Sequence, residues 1–238
     1  MVKRIFIMAI MVVVALSLIA PNTYAIPTLQ LTDPMAGLPV IVQDGSPLDL
    51  NPIVGAVTYV GTVPSSGIGT WNLNVTTGVT KPEIGDSVQM SMDLNSIDAT
   101  SVNGGTLIIQ FSDDNFGPGT GSFITEIGGT LGGGPGSSLV YNTYLDTGNI
   151  LFGEGTPLTS QTFNSSPFLP AFASASVGSF AAPASLTQKV TIVHTRQGLT
   201  SFDATLNSVP EPSSALLLLG LLLGGIGGVG LLKKKEEI

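Results

Sequence analysis

This 238-residue chain predicts an all-β fold, an antiparallel β-sandwich of the jelly-roll or immunoglobulin-like kind, set between two apolar ends. Three observations predict it. Apolar and polar residues alternate with period two in segment after segment, and clusters of Gly, Pro, Asn and Asp separate those segments. No stretch of ten or more residues between 26 and 209 carries a helical period. A β-solenoid would share the Gly and Asn bias, but it needs a fixed repeat and none is evident.

At the start, Lys3 and Arg4 precede apolar residues 5–20, and a short polar region ends in Thr23-Tyr24-Ala25. That order predicts a secretory signal peptide over 1–25, cut after Ala25. Sixteen apolar residues also fall short of the ~20 that span a bilayer. The exported body then runs over 26–208. Trp71, Leu73 and Val75 alternate with Asn72, Asn74 and Thr76, and Val88, Met90, Met92 and Leu94 repeat the pattern. So do Phe202, Ala204 and Leu206, while 54–60, 106–112, 122–127, 138–145 and 186–195 are further strand candidates. Turn signals lie between them, Thr77-Gly78 and Asn103-Gly104-Gly105 among them. The Gly-rich run 128–136 lacks the Lys of a phosphate loop and reads as a flexible connector. Residues 156–183 read as an irregular excursion or edge strands, packed on the body through Phe163, Phe168, Phe172 and Phe180.

Charge and cysteine content exclude several function classes. Between 26 and 209 there are 13 acidic residues against Lys81, Lys189 and Arg196, too few cations for a phosphate-binding surface, so nucleic acid is not an expected partner. Without Cys the exported body has neither disulfides nor thiolate zinc, and core burial must stabilise it.

Little in the body points to catalysis. His194 is the sole histidine and shares a strand face with Val190 and Ile192, which predicts a packed, hydrogen-bonded ring. No G-x-S-x-G elbow is present. A glycosidase needs two carboxylates about 5–10 Å apart, and 13 acids offer many pairs without selecting one. No cofactor is expected. Calcium is the candidate cation, on Asp44 and Asp49 of one turn and on Asp113 and Asp114 of a second, expected, hairpin loop. For a sugar the candidate platforms are Tyr141 and Tyr144, which lie on opposite faces of one strand; Trp71 reads as core.

At the C-terminus, Pro210-Glu211-Pro212 precedes 18 uncharged residues, 215–232, and then Lys233, Lys234 and Lys235. At ~1.5 Å per residue the run reaches about 27 Å, which predicts a transmembrane helix. The lysines fix its orientation, with the body on the far side of the membrane. Two prolines deprive the tripeptide of donors, so it is expected to join neither a strand nor the helix.

Residues 209–238 resemble the PEP-CTERM sorting signal of Gram-negative bacteria, with its Pro-Glu-Pro motif, hydrophobic helix and basic end. The resemblance implies an exosortase-type membrane enzyme acting near Pro210, Glu211 and Pro212, with the inner membrane as the site of anchoring before processing. It further implies a cell-surface or extracellular destination and a link to exopolysaccharide and biofilm. The expected function is therefore that of a non-enzymatic surface or matrix protein; a carbohydrate-binding module is the alternative, and a secreted hydrolase a third reading.

Overall fold

Burial of one face of each alternating segment gives twelve strands among the described residues. The computed structural model describes residues 25–36, 38–64 and 70–210. In chain order the strands are β1 (Thr28–Thr32), β2 (Val40–Gln43), β3 (Ala56–Val63), β4 (Trp71–Val79), β5 (Ser91–Ser101) and β6 (Gly105–Phe116). They continue as β7 (Gly119–Thr130), β8 (Ser138–Asp146), β9 (Thr156–Phe163), β10 (Phe168–Phe180), β11 (Ala184–His194) and β12 (Gly198–Pro210). All pairings are antiparallel, in two six-stranded sheets ordered β2-β1-β6-β11-β8-β9 and β10-β7-β12-β5-β4-β3.

The core lies between the sheets. Leu29, Leu31, Leu107, Ile109, Phe111, Tyr141, Val190 and Ile192 from the first are fully buried, as are Trp71, Met92, Leu94, Ile127, Ala204 and Leu206 from the second. Gln188 reaches across the core to donate to the Met92 carbonyl at 2.9 Å.

Several local expectations change. Gly78 is no turn: it lies inside β4, where a Cβ would overlap the Phe111 ring arriving from the facing sheet. The alternation of β4 also breaks, because β4 carries an extra residue against β3 at Asn74–Val75, level with the extra residue of β5 against β12 at Ile97–Asp98, where Asp98 has φ 58°. Trp71 and Leu73 face inward before that level, Thr76 and Gly78 after it, and the Thr76 hydroxyl is satisfied by Ser96 at 2.8 Å. Val88 is exposed rather than in a strand, since Asp86 Oδ1 accepts from the N–H groups of Val88 (2.6 Å) and Gln89 (2.7 Å) and holds them in a turn.

Two segments turn out more ordered than their composition suggests. The Gly-rich connector is tied to the β11–β12 turn, with Arg196 N–H and Thr195 Oγ1 both donating to the Gly133 carbonyl at 3.1 and 2.8 Å. A Cβ on Gly133 would come within 2.7 Å of His194, so glycine here permits close approach as well as its φ of +86°. Residues 156–183 form edge strands on the same flank: β9 ends the first sheet and β10 ends the second.

Candidate functional site

The exit of the chain from the sandwich is the first place to look, because the Pro-Glu-Pro tripeptide begins there. β12 has β5 on one side as far as Asn207, which faces Ser91, the first residue of β5. Beyond that point β7 alone continues beside it, with Val209 opposite Ser122 and Pro210 opposite Gly121. Ser208 N–H donates to the Met90 carbonyl at 2.8 Å, toward the β5 side. Backbone groups alternate sides along a strand, so the nitrogen of Pro210 points the same way as that of Ser208, where β5 has ended. A proline forfeits no ladder bond at such a position. The expectation that the tripeptide stays out of any strand therefore fails for Pro210, and β12 runs two residues past the body boundary drawn at 208. Glu211, Pro212, the run 215–232, Lys233, Lys234 and Lys235 lie outside the described residues, as does the signal peptide through Tyr24. Among the described residues no helix is long and apolar enough to cross a membrane.

The carboxylates proposed for calcium are occupied differently from one another. Asp49 Oδ1 accepts from the N–H groups of Asn51 (2.9 Å) and Thr58 (2.8 Å), and its Oδ2 from Gly45 (3.0 Å). Asp44 Oδ2 accepts from Gly55 N–H at 2.8 Å. Asp113 and Asp114 are not in a loop but in β6, and Asp113 is fully buried. Its Oδ2 meets Lys81 Nζ at 2.6 Å and Thr80 Oγ1 at 3.1 Å, while Lys81 also donates to the Asp114 carbonyl and lies 3.5 Å over the Phe116 ring. Burial pulls the Lys81 ammonium below its usual range and pushes Asp113 up to about 6, each partner's charge working against that burial. Among the described residues no group of three or more His, Asp or Glu side chains is placed to hold a metal ion.

The aromatic candidates separate by depth. Tyr141 is fully buried and its hydroxyl donates to the Thr205 carbonyl of the other sheet at 3.0 Å, so its ring offers no face to a sugar. Tyr144, on the outer face of β8, is half-buried beside Glu154, whose carboxylate pairs with Lys189 at 2.6 Å. Trp71 is core, its ring tilted by 38° against His194 at a centroid distance of 4.8 Å. His194 itself sits between Ser101 Oγ and Thr200 Oγ1, each 2.7 Å from a ring nitrogen, and burial lowers its pKa to about 4. The neutral, enclosed ring matches the packed histidine expected from its strand face.

One acidic grouping appears only in three dimensions. Asp93 of β5 faces Thr205 of β12, and Asp203 lies two residues before Thr205, so the two carboxylates are diagonal neighbours on the outer face of the second sheet. Burial, then the charge of Asp203, pushes the Asp93 carboxyl up to about 6. Glu126 and Asp203 line a depression of about 270 Å³ with Thr205, Pro170, Gly128 and Gly129. A carboxylate pair sharing a proton is one component of acid–base chemistry. Sequence alone could not select it: Asp93 stands out as an acid alternating with core residues, but its partner is more than 100 residues away.

Residues 208–234 match the family model of the PEP-CTERM protein-sorting motif. The chain carries a PEP-CTERM sorting signal. Proteins with this signal are exosortase substrates, and it marks the protein as exported and membrane-anchored before processing. The match starts at Ser208, so the PEP-CTERM signal overlaps the last three residues of β12.

No curated protein matches the chain. Solved structures that match include the enzymatically active domain of bacteriophage CBA120 tailspike protein 4, at 10% identity over 70% of this chain and 21% of that one, TM-score 0.32. Carbohydrate-binding modules of the β-sandwich superfamily match at 11% identity over 79% of this chain and 74% of theirs, TM-score 0.32. A structure of infectious bursal disease virus, Gx strain, matches at 11% identity over 77% and 57%, TM-score 0.32. The chain thus spans about a fifth of the tailspike chain. Likeness this loose bears on neither ligand nor activity.

Proposed function

We propose that this is a non-enzymatic cell-surface or matrix protein: a β-sandwich carried across the inner membrane, anchored by residues 215–232, and released or transferred by an exosortase-type enzyme acting at Pro210, Glu211 and Pro212. Its destination is the exopolysaccharide layer of a biofilm. The observation that carries this reading is the direct run of core strand β12 into the sorting motif, which makes the sandwich the cargo with no intervening domain. Two features support the non-enzymatic part. The sole histidine is enclosed between two hydroxyls, and the Asp93–Asp203 pair lies on the outer face of a sheet, where Asp203 borders a depression of only about 270 Å³. The body works without a cofactor in this reading. Replacing Pro210, Glu211 and Pro212 together by Ala tests it: the variant is expected to accumulate in the membrane fraction at full tail length. Unchanged delivery to the surface or medium would contradict the proposal.

A second reading, polysaccharide binding by the body, is favoured by one residue. Tyr144 keeps part of its ring at the surface next to the Lys189–Glu154 pair, so an aromatic face and charged hydrogen-bonding groups are together. Tyr144→Ala is expected to weaken retention on immobilised exopolysaccharide at least fivefold. Retention equal to the parent would remove Tyr144 as a contact.

A further inference from the structure

The chain leaves the sandwich at Pro210 and the apolar run begins at Ala215. Five residues at no more than ~3.6 Å each reach about 18 Å. The headgroup layer takes roughly 5–8 Å of that. An anchored body is therefore held with its exit end within about 13 Å of the headgroup surface.

The loops at that end are bound to one another. Gly55 N–H donates to Asp44 and Thr80 N–H to the Gly55 carbonyl, both at 2.8 Å, which joins loop 44–55 to loop 80–90. Gly117 N–H donates to Ser87 at 2.6 Å, and Asn115 N–H to Asn149 at 2.8 Å, which adds loop 147–155. The register places the start of β5 beside the end of β12, so the chain exits next to these loops. Six large apolar side chains are exposed on the three loops: Leu48, Leu50, Ile53, Val54, Val88 and Ile150, from 49% for Ile53 to 62% for Ile150. Ile26 before β1 and Val209 near the end of β12 bring the exposed large apolar side chains at this end to eight, against Met35, Leu38, Val102, Leu169 and Leu199 at the opposite end. Exposed apolar loop tips gain by entering a headgroup layer.

We propose that, in the anchored chain, loops 44–55, 80–90 and 147–155 rest on the outer surface of a zwitterionic bilayer with these six side chains among the headgroups. The inference rests on the anchoring stated above and adds which face meets the membrane. Of the carboxylates on these loops, Asp44, Asp49 and Asp86 accept from backbone N–H groups and Glu154 is paired with Lys189, which leaves Glu83 of loop 80–90 as an exposed charge facing the headgroups. The 13 acids of the body select zwitterionic over anionic lipid. The sorting motif then lies in a narrow gap between body and bilayer, approachable from the side.

The chain has no native Cys, so single-site labelling is clean. Full-length Ile150→Cys and Val102→Cys proteins, each carrying a fluorophore, are reconstituted into phosphatidylcholine vesicles containing a lipid-borne quencher. The label at 150 is expected to be quenched severalfold more than the label at 102, and Leu50→Asp with Ile53→Asp to lower that ratio. Equal quenching at both sites in protein that floats with the vesicles overturns the docking proposal alone. Failure of the full chain to float overturns the anchoring itself, and the docking with it.

Discussion

Asp93 shows what a single side chain can report about the whole body. Its carboxyl is raised to about 6, first by burial and second by the charge of Asp203. The folded-state pKa lies above the ~3.9 of an unfolded Asp. The folded protein therefore holds a proton that the unfolded chain gives up, and stability falls as pH rises from about 4 through about 6. Asn at this position stays neutral at every pH. Asp93→Asn is expected to gain about 1 kcal/mol at pH 8 after allowing for solvent screening. That is ~2–4 °C in Tm, and the two proteins should melt together at pH 4. A variant melting at or below the parent at pH 8 would show that the pair is not penalised. His194 has the opposite sign: its pKa of about 4 is below the unfolded value of ~6.5, so its contribution is lost as pH falls through that interval.

Lys81 belongs to the scale of elements, because it fastens the loop after β4 to β6 in the other sheet. The ammonium meets Asp113, the Asp114 carbonyl and the Phe116 ring in one buried place. Removing one partner leaves the other as a stranded buried charge, so Lys81→Met is expected to cost about 3 kcal/mol in urea unfolding. Lys81→Met with Asp113→Leu should recover most of that loss, and a single variant as stable as the parent would contradict the pairing. Sequence reading placed Asp113 in a loop because Ser-Asp-Asp-Asn-Phe-Gly-Pro-Gly is turn-like in composition. What put it in a strand was pairing with β11, a partner some 70 residues away. Gly78 was misread for the same reason. A glycine that makes room for Phe111 from the opposite sheet looks locally like a glycine that makes a turn. Local alternation did locate β8 and β12, the first half of β4 and the second half of β11, where a burial period of two is written into neighbouring residues. It missed β1 and β2, five and four residues long, which are too short to declare a period.

At the scale of the molecule, consecutive strands change sheet at seven connections, so no continuous stretch of the chain forms a sheet alone. That is why the sandwich class was legible while the pairing of β1 with β6 and of β5 with β12 was not. The address was legible for a different reason: Pro-Glu-Pro, the apolar run and the lysines act through local stiffness, length and charge, which need no tertiary partner. Structure adds that the signal starts within the last turn-free residues of a core strand, so folded cargo and processing motif are one continuous piece. The intact mass of mature protein recovered from the cell surface and medium tests that account most directly. It predicts a polypeptide beginning at Ile26 and ending close to Pro210–Pro212; mature material that uniformly keeps Lys233, Lys234, Lys235 and the residues through Ile238 would contradict it.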